Sequence, residues 1–361
     1  MTPDLDGELR RVLDALPAGA GARDAYRALG AKRLLAVHYP REYGGRGGTA
    51  EEYAAVAEAI GLRQFADEVH LVTIQGVGCT ILRYGTEEQR ARWLPALASG
   101  RTQASLLLSE KGAGSDAAAI TTAARRTGTG WSLTGEKCWS LHADWSGLGL
   151  VSARTSQGAN RYAGITLFLV DLSAPGVMVT PTPRAMGEPY FVVGFDEVEL
   201  DEDAVLGTVD RGFPLVTAAA GFERAGFDYL SRGRVWLHAA EQTVTAVPEL
   251  DTERRRAAMT RLEYELAGAR ALAQETVATA EGLDFDYLRS AYSKYTCGEA
   301  AQAVARWIGE DLLSEPAVHG RPDLVRRLRA AVLEGPELSI SGNAVDLLLD
   351  TLSLDPRLGE L

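Results

Sequence analysis

Residues 106–116 read LLLSEKGAGSD, an apolar run that gives way at once to Ser-Glu-Lys, then Gly-Ala-Gly, then Ser-Asp. Two glycines let a backbone turn through positive φ or come close to another molecule, and Ser109, Ser115 and Asp116 supply donors and acceptors beside them. These residue types fit either a plain turn or the wall of a ligand site. The sequence has no Walker loop, no GxSxG elbow and no HExxH pair. Cys79, Cys138 and Cys297 are scattered without a CxxC pair, and the five histidines show no paired spacing. Neither a disulfide frame nor a metal site is expected.

The elements that must position the glycine turn fall into three zones. Up to about residue 105 the pattern is helical: TAEEYAAVAEAIG repeats apolar residues at three- and four-residue steps, and GTEEQRARWLPALASG opens with a Thr86-x-x-Gln89 capping box. From about 106 to 208 the character is β, with AGITLFLVDL ended by the turn signal SAPG and VMVT resuming beyond it. RRTGTGWSLTGEK places glycines between short strand-like pieces and reads as successive hairpins. After Gly212 helices return, and Met259, Leu262, Leu266, Ala269, Ala273 and Val277 form one stripe behind Asp251 or Thr252 as N-cap. The expected domains are 1–106 (helical), 107–209 (β) and 210–361 (helical). Helices, a small sheet, then helices, without βαβ alternation, argue against a doubly wound nucleotide fold.

Composition sets outer bounds. The 361 residues suit two or three domains of roughly 100–200 residues each. With 46% hydrophobic and 24% charged residues the chain reads as an ordinary globular protein, and its net charge of -12 argues against nucleic acid or an anionic membrane as main partner. No apolar run is long enough to cross a bilayer, and MTPDLDGELRR lacks the apolar core of a signal peptide, so a cytoplasmic location is expected.

The order of zones and the local text together resemble the acyl-CoA dehydrogenase family. The likeness begins at YPREYGGRG (39–47), continues through YGTEEQRARWLPALASG (84–100), and is densest in LSEKGAGSDAAAITTAARRTGTGWSLTGEKCWS (108–140). It persists through HADWSGLGLVSART, LFLVDLSAPGV, GFDEVELDEDAVLG and GFERAG, covering roughly the first 230 residues in order. What this resemblance implies is a fold that is mostly α with a central β-domain: a helical N-terminal domain, a middle β-barrel or sandwich domain and a C-terminal helical bundle. It implies FAD held between the sheet and the C-terminal helices, with Leu108, Ser109, Gly114 and Ser115 as the flavin wall. An aromatic beside the flavin corresponds to Trp139. The family's hydroxyl for flavin N5 sits two positions later, where this chain has Leu141, so a one-residue shift would let Ser140 serve instead.

The chemistry implied is α,β-dehydrogenation of an acyl thioester of coenzyme A or acyl carrier protein, in which a carboxylate removes the α-proton. An apolar pocket suits such a base because it raises its pKa toward neutrality. The resemblance offers two positions for it. Glu223, followed by Arg224 as a substrate contact, matches one; Glu334 before Gly335 matches the other, and the text around Glu223 follows the family more closely. The plain alternatives are a helix-start carboxylate paired with Arg224 and a solvated Glu334 beside Arg327 and Arg329.

Departures cluster late in the chain. The family's Arg-x-x-Phe-Gly segment, whose arginine reaches the flavin pyrophosphate of a neighbouring subunit, is missing; WLHAAEQTV runs through TAVPEL straight into DTERRR. The glycine-rich adenosine loop is replaced by LLSEPAVHGRP, while Arg254, Arg255 and Arg256 stand as substitutes or as a solvated face. Partners expected on this basis are a second copy of the chain, as a dimer or tetramer, or a related subunit in a heteromer. A flavin monooxygenase of the same fold and a flavin-poor partner subunit remain alternative readings.

Overall fold

The computed structural model describes residues 3–183, 189–222, 225–279, 286–340 and 345–353. Two compact units emerge, one built from the described parts of 1–56, 65–184 and 188–223, the other from 57–64 and the described parts of 224–361. Among the described residues no helix is long and apolar enough to cross a membrane.

The chain begins with helices α1 (Pro3–Asp14), α2 (Ala22–Ala31), α3 (Ala50–Gly61), α4 (Asp67–His70), α5 (Cys79–Tyr84) and α6 (Glu87–Ala98). The expected capping box starts α6: the Gln89 N–H donates to Thr86 Oγ1 at 3.3 Å while the Thr86 N–H donates to Gln89 Oε1 at 3.0 Å. Gln89 does more than cap, since its amide also donates to the Asp203 and Val205 carbonyls at 2.7 and 2.8 Å. Between α4 and α5, Leu71–Gly78 widens into a π-helix. A Cβ on Gly78 would lie 1.7 Å from the Tyr39 hydroxyl, which donates to the Ile74 carbonyl at 2.7 Å, so only glycine fits there. Around this widened turn sits a buried polar cluster. His38 Nε2 meets Cys79 Sγ at 3.3 Å, Cys79 Sγ donates to Gln75 Oε1 at 2.9 Å, and His70 Nε2 bonds the Leu35 carbonyl at 2.8 Å.

The sheet has eight strands: β1 (Gln103–Leu107), β2 (Ala123–Arg126), β3 (Gly130–Leu141), β4 (Ser146–Arg154), β5 (Ile165–Asp171), β6 (Val177–Pro181), β7 (Tyr190–Asp201) and β8 (Val205–Leu206). Their order is β6-β7-β3-β2-β4-β5-β8, with β1 parallel to β4 off that path. β5 is buried from Ile165 to Val170, which explains why its sequence is apolar without alternation. Phe168, Leu133, Val151, Val193 and Trp131 centre the sheet's core. The expectation of successive hairpins in 125–137 needs correction. One hairpin joins β2 to β3, closed by the Thr127 N–H to the Gly130 carbonyl at 2.9 Å, but Thr134-Gly135 lies inside β3. Gly135 takes φ +146 at a bulge against β7, and a Cβ there would also come within 2.6 Å of Thr122 Oγ1, so both conformation and space call for glycine.

Beyond the sheet come α7 (Phe213–Phe222), α8 (Phe227–Ala246), α9 (Glu253–Ala278), α10 (Tyr287–Trp307), α11 (Pro316–His319), α12 (Pro322–Glu334) and α13 (Val345–Ser353). Thr252, not Asp251, caps α9, accepting from the Arg255 N–H at 3.3 Å. The stripe expected on α9 is buried at Leu262, Leu266, Ala269, Ala273 and Val277 and half-buried at Met259. Within the second unit Glu58 holds two arginines, Arg234 and Arg270, each at 2.7 Å.

Candidate functional site

The stretch Leu108–Ser115 leaves β1 and turns at once. The Glu110 N–H donates to the Ala113 carbonyl at 3.0 Å and the Ala113 N–H returns to Glu110 at 2.9 Å, closing a four-residue turn. Gly112 takes φ +93, which accounts for the first glycine by conformation. Gly114 has no such reason: its φ is not positive, it is exposed, and a Cβ there would meet nothing within 4 Å. Nothing inside the described chain demands glycine at this position. Leu108 and Ser109 are half-buried, and Ser115 is exposed.

The second piece is a bulge in β3. Lys137 pairs with Val193 and Ser140 with Phe191, so three steps on β3 oppose two on β7 and one residue is extra. Trp139 occupies the bulge with φ +57, a conformation that costs a bulky residue of order 1–3 kcal/mol. It is 61% exposed, so its ring is not part of the sheet's core. Its ring meets Tyr190 edge-on at 6.2 Å. Ser140, next to it, is buried, and its Oγ has no hydrogen-bond partner. Turn and bulge are tied directly, for the Cys138 N–H donates to the Ser109 carbonyl at 2.9 Å.

Beneath both lies an ion pair. Lys137 Nζ sits 2.7 Å from Glu110 Oε1, with the two side chains 0% and 5% exposed. Burial opposes the Glu110 charge, yet the Lys137 ammonium and donors from Thr121 and Thr122 outweigh it and hold the carboxyl well below the usual range. Burial pushes Lys137 down to about 8 in spite of the attraction of Glu110.

Glu223 and Arg224 lie outside the described residues. Glu334 is the last residue of α12 and is half-buried, while Arg327 and Arg329 are exposed and Arg327 donates to Gln242 at 3.1 Å. Glu337, which the sequence reading passed over, is buried at 3% exposure; an acidic residue in a short apolar-flanked turn after a helix was the only available signal. The arginine run of α9 is not a uniform solvated face. Arg255 is buried and bonded to Glu315, to the Leu250 carbonyl at 3.4 Å and to the Asp311 carbonyl at 3.1 Å. Arg254 pairs with Asp311 and Arg256 with Asp251. The connection from α8 to α9 is only Val247–Thr252, with a 3-10 turn at Pro248–Leu250. Sequence reading also missed Arg161: it pairs with Asp116, lies 5.3 Å from the Tyr162 ring, and so brings an exposed guanidinium to the residue next to Ser115. Its position 45 residues along the chain gave no hint of this. Among the described residues no cluster of His, Cys, Asp and Glu is arranged to hold a metal ion.

Comparison with known proteins follows the same outline. The family described as acyl-CoA dehydrogenase, N-terminal domain, matches residues 8–101, and acyl-CoA dehydrogenase, middle domain, matches 105–201. Acyl-CoA dehydrogenase IpdE1 of Mycobacterium tuberculosis is 32% identical over 262 residues, 70% of this chain and 66% of the relative. Across this and two further curated relatives the chain spans between 28% and 66% of their length. A glutaryl-coenzyme A dehydrogenase in complex with glutaryl-CoA shares the fold with a TM-score of 0.88 and 23% identity, covering 99% of this chain and 96% of that one. A glutaryl-CoA dehydrogenase from Mycobacterium smegmatis in complex with FADH2 does so with a TM-score of 0.81 and 21% identity, covering 97% and 92%.

Proposed function

The chain belongs to the acyl-CoA dehydrogenase family, and from that premise we propose that it dehydrogenates an acyl thioester between Cα and Cβ with FAD as its cofactor. One observation carries the reading: a turn and a bulge, adjacent and tied together, each carry a feature that the chain's own packing does not require. Gly114 is a glycine without internal cause, Trp139 is strained and exposed, and Ser140 has a buried hydroxyl without a partner. A planar, polar-edged cofactor gives all three a purpose, so the residues present fit the flavin.

In this reading Leu108, Ser109, Gly114 and Ser115 form the wall, Trp139 shelters the ring, and the Ser140 hydroxyl donates to it. Arg161 adds a cation beside Ser115, where an anionic part of a cofactor is stabilised by a guanidinium with donors to spare. When bound, FAD accepts the hydride from Cβ. The protein's own part is to take the α-proton on a carboxylate and to hydrogen-bond the thioester carbonyl as enolate charge develops. Glu223 is the favoured base, Glu334 the second position, and Arg224 a substrate contact; the thioester carrier is coenzyme A or an acyl carrier protein. The protein works in the cytoplasm as a homo-oligomer or with a related subunit. The second arrangement has one specific support: the α8–α9 connection is short and Arg255 is bonded to Glu315, so this segment offers no free arginine to the flavin of another copy.

The test is the visible spectrum of the purified protein with FAD added and the excess removed, followed by anaerobic addition of acyl-CoA. Two flavin bands that bleach on addition are expected. Exchanging the base for glutamine then lowers kcat about 10²–10⁴-fold. A protein that never takes up flavin refutes the stand-alone enzyme.

A further inference from the structure

One buried ion pair touches both the turn and the bulge of the candidate site. Glu110 opens the four-residue turn, and its carboxylate reaches across to where the same loop ends. Its Oε2 accepts from the Thr121 N–H at 2.6 Å and from Thr121 Oγ1 at 2.7 Å, and its Oε1 accepts from the Thr122 N–H at 3.0 Å and from Lys137 Nζ at 2.7 Å. Between these ends, residues 111–120 contain neither helix nor strand. Lys137 belongs to β3, two residues before Trp139. It also donates to the Leu108 carbonyl at 3.3 Å and to Ser152 Oγ on β4 at 3.2 Å. All three ammonium protons therefore have acceptors, and both carboxylate oxygens have two donors each.

Stability alone is a poor reason for such a pair. Desolvating two ions offsets most of their attraction, and apolar replacements of similar shape are commonly neutral or stabilising. Nor is the pair placed for proton transfer to a substrate, since side-chain exposures of 0% and 5% leave it no open face. What a fully bonded pair does supply is fixed geometry. It joins the exit of β1, the return of the loop, the bulge of β3 and the middle of β4 at one point, and outside it the direct tie from turn to bulge is the single Cys138 to Ser109 bond.

We propose that Glu110 and Lys137 are positioning residues for the flavin, holding the Leu108–Ser115 wall and the Trp139 bulge at one separation without touching the cofactor. The proposal rests on the reading of this site as the FAD site. A wall held to within about 0.5 Å by a supporting shell binds a rigid ring well, and a looser one does not.

The decisive variant is the double substitution Glu110→Gln with Lys137→Met, which removes both charges and leaves neither ion stranded. FAD affinity, from titration of the apo-protein by flavin fluorescence, is compared with the thermal midpoint. The expected result is a midpoint within about 5 °C of wild type and a dissociation constant raised about tenfold or more, with a broadened flavin band. Wild-type affinity in the double variant overturns the proposal while leaving the FAD reading intact. A wild-type protein that takes up no FAD, either alone or with a related subunit, overturns that reading and the proposal with it. Should the double variant not fold, Thr121→Val strips one anchor from Glu110 at an exposed position. About twofold to fivefold weaker FAD binding at an unchanged midpoint is then expected, a fraction of the full effect because one of four donors is lost; unchanged binding overturns the proposal.

Discussion

Acidification should weaken the first unit through His70, and the size of the effect follows from its surroundings. The imidazole is 1% exposed, sits between the rings of Tyr26 and Tyr53 at 6.0 and 5.3 Å, and bonds the Leu35 carbonyl. Burial drives its pKa from 6.5 down to about 4, with the Leu35 bond pulling the other way. A histidine whose folded pKa lies below its unfolded value is kept neutral by the fold while the unfolded chain takes up the proton. Stability is therefore complete above about pH 6.5 and is lost as pH falls toward about 4. Between pH 7.5 and 5.0 the loss is about 2 kcal/mol, from about 1.5 pH units of one-sided protonation at 1.36 kcal/mol each. His38, less enclosed but lowered to about 3 by burial and by its neighbour His70, adds to the loss in the same direction. The assay is urea unfolding at both pH values for wild type and His70→Phe, with the histidine titration followed by NMR in the folded protein. Phenylalanine keeps the ring contacts and cannot titrate, so the variant is weaker at pH 7.5 through the missing Leu35 bond but shows a pH dependence smaller by about 2 kcal/mol. An identical pH dependence in the two proteins, or a folded His70 that titrates near 6.5, refutes the argument from burial.

The glycine turn makes a paired prediction. Gly112→Ala loses about 1–2 kcal/mol of stability because its φ of +93 is adverse to an L side chain, whereas Gly114→Ala stays within about 0.5 kcal/mol of wild type and loses flavin affinity instead. Thermal midpoints and flavin titration separate the two, and equal stability losses contradict the distinction. Trp139→Gly relieves the strained φ and leaves the midpoint unchanged or raised, yet weakens FAD binding; tight binding by this variant removes Trp139 from the site. Phe168→Ala, at the fully buried centre of the sheet, costs about 3–5 kcal/mol, read as the shift of the denaturant midpoint. Arg161→Gln weakens FAD more than riboflavin, which lacks phosphate, and equal losses exclude a phosphate contact.

The sequence by itself determined whatever depends on neighbours along the chain. The capping box of α6, the stripe of α9 and the all-buried β5 were legible because local hydrogen bonds and hydrophobic period are written in consecutive residues. The fold family was legible too, since its text runs in order through most of the first 230 residues and the glycine turn stands in the densest part. Tertiary structure decided the rest, because it concerns pairs far apart in the chain. Gly135 reads as a turn residue and lies at a bulge, where its φ of +146 and the approach of Thr122 leave no space for a Cβ. Trp139 is placed by its resemblance alone until the extra residue against β7 is seen to turn it outward. Arg255 looks like one of three solvated arginines until Glu315 comes beside it, and Arg161 carries no signal until Asp116 does. Glu110 and Lys137 are 27 residues apart and look like ordinary surface charges. Only the packing of β1, β3 and β4 removes water from both, and it is that loss of water, which no local pattern records, that makes them partners.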